Sequence, residues 1–348
     1  MPLTPKRQQG YINLITQGYK RCANLDSDKP FWVGVDLGGT NVRAATADAD
    51  GNIIGDGRES SLAMEGLDAT IGSIISAVRA ALASAGIEEK QVKAAGMGVP
   101  GWHDSKNGIV HWSPNFKDWH GVQLIKPIRE ALGFPVFMGN DANIAALGEF
   151  TFGAGRDVNS LVMITLGTGI GGGIVLDGKL WLGANDAAAE IGHTIVLPDG
   201  PICGCGRRGC LEALANRDAI IERAACKIQQ GRESSLIEDS DWPHWGATPA
   251  SIAKAAQEGD AVALETMAET GYYVGIGVAN VINMLNPEMV IVGGGISQAG
   301  SVLWEPMMRT VNALALTQSR RACRVVPPAL GDDAGVMGSI ALAQQEQN

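Results

Sequence analysis

Three cysteines fall within eight residues, at Cys203, Cys205 and Cys210, and His193 precedes them by ten. Three thiols and one imidazole complete a tetrahedral Cys3His zinc set, and Gly204, Gly206 and Gly209 let a short loop wrap one ion. Four protein ligands leave no open position, so such a zinc is structural rather than hydrolytic. A Cys203–Cys205 disulfide would close a strained small ring. The alternative is a group of unmetallated core thiols, which the tight spacing disfavours. Cys22, Cys226 and Cys323 stand apart in the sequence and read as buried small apolar residues.

Two glycine loops suggest phosphate chemistry. In Asp36-Leu37-Gly38-Gly39-Thr40-Asn41-Val42-Arg43, a carboxylate ends a strand, a glycine pair turns the chain and a hydroxyl follows. Bare backbone N–H groups can surround an anion, and Asp36 can hold Mg2+ directly or through water. Taken alone, the segment is equally compatible with an ordinary hairpin turn. Leu166-Gly167-Thr168-Gly169-Ile170-Gly171-Gly172-Gly173 is not a Walker A loop, because no Gly-Lys-Ser/Thr follows. Its Gly167, Gly169 and Gly172 have dinucleotide-fingerprint spacing, but a strand pattern follows where that fingerprint needs a helix. A second phosphate hairpin explains it better. Gly293-Gly294-Gly295 opens a further loop at a strand end, suited to lying along a nucleoside. Asn140-Asp141 sits between a strand and a helix, where helix capping is the commoner use of such residues. Acid–base duty there needs a phosphate site alongside.

The elements that must carry these residues alternate between sheet and helix. Strands are expected at 31–36, 42–47 and 52–57, joined by Gly38-Gly39 and Asp50-Gly51 turns. Leu67, Ile71, Ile74, Val78 and Leu82 mark one helix face, with Gly86 as C-cap. A strand at 92–99, a helix at 122–132, a strand at 135–138 and a helix at 142–152 follow. The cycle then restarts: strand 161–166, glycine turn 167–173, strand 173–176, an Asp177-Gly178 turn and strand 179–182. Helical patterns cover 211–229, 250–257 and 261–285, then a strand at 289–292. Residues 332–345 read as a helix able to return to the first half. The expected fold is therefore two α/β halves related by an approximate twofold, each a mixed sheet flanked by helices. A weak helical pattern at 11–19 belongs to a polar N-terminal extension.

Composition limits the function classes. The chain has 348 residues, a number that suits two domains. With 27 Lys+Arg against 37 Asp+Glu, its net charge of −10 argues against nucleic acid, whose binding needs clustered cations. Forty-six glycines are nearly twice the usual ~7%, and point to tight turns and backbone lying close to a ligand. The longest apolar stretch, 161–176, is short of the ~20 residues of a spanning helix. No secretory pattern is legible, so no membrane role and a cytoplasmic setting are expected.

Together these segments resemble the ROK family (repressors, open reading frames and sugar kinases), within the sugar-kinase, Hsp70 and actin superfamily. DLGGT at 36–40, GNDAN at 139–143, LGTGIGGG at 166–173, EIGH at 190–193 and CGCGRRGCLE at 203–212 occur in family order. The resemblance implies an α/β, two-lobed actin-like (ribonuclease H-like) ATPase fold with a cleft between lobes. Its boundaries would be an extension at 1–30, a small lobe of 31–141 plus 331–348, and a large lobe of 142–330 with the zinc loop at 193–210. It implies ATP-dependent phosphorylation of a hexose at its 6-hydroxyl, with Asp141 as general base. Gly101, Asn115, Asn140, Asp141, Glu190, His193 and Glu212 would meet the sugar. Asp36, Gly38, Gly39, Thr40, Asn41, Arg43, Thr168, Gly169, Gly171, Gly294 and Gly295 would meet ATP and its phosphates. Zn2+ on His193, Cys203, Cys205 and Cys210, Mg2+ with ATP near Asp36, and a homodimer or homotetramer complete the expectation. Asn115-Phe116-Lys117-Asp118-Trp119 is similar to the N-L-x-x-W stretch of the glucokinase branch and inclines the substrate to glucose. Mannose, fructose, allose and N-acetylmannosamine are alternatives, as is polyphosphate for donor. The family's repressors carry an N-terminal winged helix of some 60–80 residues, whereas about thirty residues precede the first strand here.

Overall fold

The computed structural model describes residues 30–237 and 246–347; the helical pattern expected at 11–19 and Cys22 lie outside them. Strands β1 (Phe31–Leu37), β2 (Asn41–Ala47) and β3 (Ile53–Ser60) form an antiparallel meander, followed by helix α1 (Leu67–Ala85). Strand β4 (Val92–Val99) joins β1 in parallel. Three short strands come next: β5 (Trp102–Asp104), β6 (Ile109–Trp112) and β7 (His120–Gln123). Helix α2 (Ile125–Leu132), strand β8 (Val136–Asn140) and helix α3 (Asp141–Thr151) complete this half. The second half opens with β9 (Leu161–Leu166), β10 (Ile170–Leu176) and β11 (Lys179–Leu180). Helices α4 (Leu211–Ala215), α5 (Arg217–Gln229), α6 (Pro249–Gln257) and α7 (Ala261–Leu285) follow, then β12 (Met289–Gly293), α8 (Ser301–Leu314), α9 (Thr317–Ala322), β13 (Arg324–Val326) and α10 (Ala334–Gln345).

The repeat expected from the sequence is present in the sheets. One sheet runs β3-β2-β1-β4-β8 and the other β11-β10-β9-β12-β13. In each, the first two pairings are antiparallel and the last two parallel. This is the two-lobed actin-like ATPase architecture, with mixed sheets flanked by helices. Val33, Val35, Ile74, Val78, Met97 and Ile128 belong to the first core, and Val162, Ile164, Val274, Val278, Val290 and Met307 to the second. Helix α1 is long and apolar enough to cross a membrane by length and composition alone. Its Ile71, Ile74, Val78 and Leu82 face are instead buried beneath β2 and β3.

Two helices fill the space between the sheets. Helix α10 lies on β1 and β4, and α3 lies on β9 and β10. Glycine makes the approach possible: a Cβ on Gly34 or Gly96 would run into the carbonyl oxygens of Val336 or Ser339 in α10. The two helices meet each other at Gly148 and Gly338, where a Cβ on Gly338 would strike the Ile144 carbonyl. Much of the glycine excess therefore serves helix packing, a use beyond turns and ligand contact. Ser339 Oγ donates to the Val35 carbonyl at 2.7 Å and accepts from Gly98 N at 3.1 Å, tying α10 to both strands.

Several boundaries differ from expectation. Residues 120–123 are strand rather than the start of a helix, part of a three-stranded sheet β5-β6-β7 that the sequence reading lacked. The glycine turn expected at 167–173 closes by Ile170, because the glycines beyond it lie within β10. The helix expected at 211–229 is broken at Asn216, whose side chain caps α5 by accepting from Ala219 N. Cys226 is exposed, not buried, whereas Cys323 is buried as expected, and burial pushes its thiol up to about 11.

Candidate active site

The two glycine hairpins occupy equivalent places in the two sheets but differ in length, four residues between Leu37 and Val42 and three between Leu166 and Ile170. In the first, Gly38 N donates to Asn41 O at 2.9 Å; in the second, Gly167 N donates to Gly169 O at 2.9 Å. Each is pinned from behind. Ser61 Oγ donates to Gly39 O at 2.8 Å and Ser61 N to Thr40 O at 2.9 Å. Asn216 Nδ2 donates to Thr168 O at 3.1 Å, and Arg217 N to Gly167 O at 2.9 Å. Gly39, Thr40, Asn41, Thr168 and Gly169 are left exposed. Pinned carbonyls fix the loop, and exposed backbone N–H groups can then face an anion. Neither Ser61 nor Asn216 was singled out from sequence, where 211–229 reads as one unbroken helix.

Carboxylates stand on the elements next to the hairpins. Asp36, near the end of β1, packs against Gly335 in the first turn of α10, where a Cβ would lie 2.7 Å from Asp36 Cγ. Burial, then the negative charge of Asp141, pushes Asp36 up to about 6, against the pull of Arg43. Asp141 is the first residue of α3 and opens to solvent. Its Oδ1 accepts from Ala142 N at 2.9 Å. Confinement by the surrounding protein outweighs that hydrogen bond and raises its pKa. Asn140 is the helix cap: its Oδ1 accepts from Ala142 N and Asn143 N, and its Nδ2 donates to Gly101 O at 3.3 Å. The Asn140 amide also hydrogen-bonds the Asp141 carboxyl, which lowers that group against the effect of burial. Gly101 has φ 110°, and a Cβ there would strike the Trp112 carbonyl, so only glycine fits that turn. Asn115 lies against Gly39, 3.2 Å from where a Cβ would stand. Its loop is anchored by Phe116 stacked on the fully buried Trp119, centroids 4.2 Å apart.

Glu190, His193 and Glu212 form the opposite wall. His193 Nε2 lies 3.9 Å from Glu190 Oε2, and His193 Nδ1 lies 4.0 Å from Glu212 Oε1. Partial burial raises the pKa of Glu190, and the negative charges of Glu212 and Asp141 add to that against the pull of His193. Glu212 Oε2 accepts from Ile170 N at 2.9 Å, so this carboxylate also fixes the end of the second hairpin.

Behind that wall, one ligand atom from each of His193, Cys203, Cys205 and Cys210 falls within 4.8 Å of the others. Cys203 Sγ is 3.6 Å from His193 Nδ1, and Cys205 Sγ is 3.6 Å from Cys210 Sγ. Tetrahedral zinc with ~2.3 Å sulfur and ~2.0 Å nitrogen bonds separates two sulfurs by about 3.8 Å and sulfur from nitrogen by about 3.6 Å. The four side chains fit that ion. Burial pushes the Cys203 thiol up to about 12, while backbone N–H donation at Arg207 brings Cys205 down to about 7.

Other expected residues are placed differently. Arg43 is committed to two carboxylates, Asp56 Oδ2 at 2.8 Å and Asp333 Oδ1 at 2.6 Å, so its guanidinium ties β2 to β3 and to the turn before α10. It stands beside Asp36 across the strand pair, with its Nε and Nη1 taken by these two carboxylates. The smallness of Gly171 is accounted for by α3, since a Cβ would lie 2.8 Å from that of Ala142. Gly294, at φ 84°, sits on the Leu166 backbone, and Gly295 faces open space. Glu149, unremarked in the sequence, is fully buried and accepts from Ala154 N, Ala329 N and Leu330 N, fastening α3 to the segment before α10.

Twin pinned hairpins, clustered carboxylates and the Cys3His group coincide with a known pattern: residues 32–346 match the model of the ROK family. The chain belongs to the ROK family. It is 39% identical over 313 residues to the glucokinase of Thermotoga maritima, covering 90% of this chain and 97% of that protein. It is also similar to the xylose repressor of Caldicellulosiruptor bescii, 32% identical over 344 residues, or 96% of this chain and 85% of the repressor. Among solved structures, the ROK glucokinase of Streptomyces griseus in complex with glucose and AMPPNP superimposes with a TM-score of 0.76 at 34% identity, covering 90% of this chain and 99% of that one.

Proposed function

We propose that this ROK protein is an ATP-dependent hexose kinase that phosphorylates the 6-hydroxyl of D-glucose. The observation that carries the reading is a pair of pinned glycine hairpins with carboxylates beside them: Asp36 lies in the strand entering the first, Glu212 accepts from Ile170 N at the end of the second, and Asp141 opens the helix packed on the second hairpin's strands. Gly38, Gly39, Thr40, Asn41, Thr168 and Gly169 hold the phosphates, with Gly294 and Gly295 on the adenosine side. Gly101, Asn115, Asn140, Glu190, His193 and Glu212 hydrogen-bond the sugar hydroxyls, each of which needs a partner once buried. Asp141 accepts the 6-hydroxyl proton as that oxygen bonds to the γ-phosphorus; the bond from phosphorus to the β–γ bridging oxygen breaks and ADP leaves. Its raised pKa brings it nearer the working pH, which improves a base. Asp36 would hold the Mg2+ that arrives with ATP, directly or through water, and that ion would supply neutralisation of phosphate charge. His193, Cys203, Cys205 and Cys210 would hold a structural zinc, which would fix the His193 ring beside the sugar.

Free thiols at such a site suit a reducing compartment, so we place the enzyme in the cytoplasm and expect a homodimer or homotetramer. The likeness to a repressor keeps a sugar-responsive regulator as a second reading. The net charge of −10 and an intact Asp141 favour the kinase. A coupled assay of ADP release against a hexose panel, with ATP and polyphosphate compared, tests this. Glucose with ATP is expected to give glucose 6-phosphate at the highest kcat/KM, and no turnover with any aldohexose would overturn the reading.

A further inference from the structure

Residues 182–189, the loop that delivers Glu190, show an arrangement the mechanism above does not use. Ala188 N donates to Leu182 O at 3.1 Å, closing the loop on itself. At its tip Asp186 has φ 59°, and Ala189 next to Glu190 has φ 66°. Both are left-handed conformations that L-residues with a Cβ adopt at a cost. Asp186 Oδ2 accepts from Ser105 N at 2.9 Å and from Ser105 Oγ at 2.8 Å. Ser105 lies in the turn between β5 and β6, the small sheet that starts next to Gly101. The bond therefore joins the Gly101 wall of the cleft to the Glu190 wall, across the two halves. Behind it lies a cavity of about 410 Å3 bordered from both sides, by Lys106 and Arg129 as well as Leu182 and Asp186.

We propose that Asp186 and Ser105 form a latch that positions Glu190 and sets affinity for the hexose. Asp186 is a positioning residue: it touches no reacting atom, and its strained backbone is kept because its carboxylate must reach Ser105. The inference rests on the kinase reading, since the latched wall is the one assigned to the sugar. Glycine at 186 separates backbone from side chain. Asp186→Gly relieves the left-handed strain and removes the acceptor, so thermal stability should hold or rise while sugar affinity falls. Kinetics and direct hexose binding by intrinsic tryptophan fluorescence would be measured on the unmutated protein, Asp186→Gly, Asp186→Asn and Ser105→Ala. The expected result for Asp186→Gly is a glucose KM and Kd about tenfold higher, ATP KM within twofold and Tm not lowered. Asp186→Asn, which keeps an acceptor oxygen, should recover most of the affinity, and Ser105→Ala should fall between. Unchanged glucose affinity in Asp186→Gly, or a loss matched by a lower Tm, overturns the latch. If the unmutated protein neither binds nor phosphorylates a hexose, the kinase reading itself has failed.

Discussion

Asp36 and Asp141 illustrate a conflict between stability and function within single side chains. Both carboxyls are charged at the cost of confinement, and the charge of Asp141 raises that cost for Asp36. Asp36, moved from an ordinary 3.8 to about 6, makes the native state less stable at any pH where the unfolded chain ionises it. The penalty is absent below about pH 4, grows between about 4 and 6 and is constant above, because the raised group sits on the folded side. Asp36→Asn should therefore raise the stability of the ligand-free protein at pH 8 by up to ~2 kcal/mol. That gain should vanish by pH 4 while kinase activity with Mg·ATP is lost at every pH; urea unfolding at the two pH values checks it. At Asp141 the expectation differs, because in the proposed mechanism hydroxyl deprotonation depends on it. Asp141→Asn should leave the glucose Kd within a few-fold and lower kcat by at least ~10²-fold, the usual contribution of a general base. Near-normal turnover would remove Asp141 from that role.

At the level of elements, helix α10 and helix α3 are seated by missing side chains. Gly338→Ala would place a methyl on the Ile144 carbonyl, and backbone cannot yield as a flexible side chain can. A loss of roughly 3 kcal/mol or more is expected, with activity falling alongside because α3 carries Asp141. Gly72, in α1 with nothing within 4 Å of a Cβ, is the control: Gly72→Ala should gain ~0.5–1 kcal/mol in the same denaturant titration. These opposite signs also show what the sequence could convey. Alternation and Asp-Gly turns made the two meanders legible, and 3.6-residue spacing located α1 and α7, because both patterns are local. Packing glycines such as Gly34, Gly96 and Gly338 carry no local mark that separates them from turn glycines. Strands β5 to β7 were missed for a related reason. They are three or four residues long, too short to display a period, and their existence depends on one another rather than on composition. The glycine loops and Cys3His residues were legible because their chemistry demands close spacing. The latch between Ser105 and Asp186 joins positions 81 residues apart and could not be read in that way.

Across the whole molecule, Glu212 connects sites that would otherwise be independent. One carboxylate oxygen holds the end of the second hairpin through Ile170 N, and the other lies 3.6 Å from Cys203 Sγ and 4.0 Å from His193 Nδ1. Hairpin, sugar wall and thiol cluster thus share one group whose direction depends on the loop at 193–210. If zinc organises that loop, losing the metal should disturb both substrates at once, whereas a purely local zinc would affect the sugar alone. Cys205→Ala leaves three ligands and, on this account, loses bound zinc from one equivalent to near zero by elemental analysis. Glucose KM should rise by tenfold or more because His193 no longer has a fixed ring orientation, and ATP KM should rise by a smaller factor through Glu212 and Ile170. Cys226→Ser, on the exposed face of α5, should change neither metal content nor kinetics. Retention of one zinc in Cys205→Ala would contradict the Cys3His assignment. Zinc loss with an unchanged ATP KM would uphold the Cys3His assignment but show that Glu212 does not carry the metal's influence to the phosphate side.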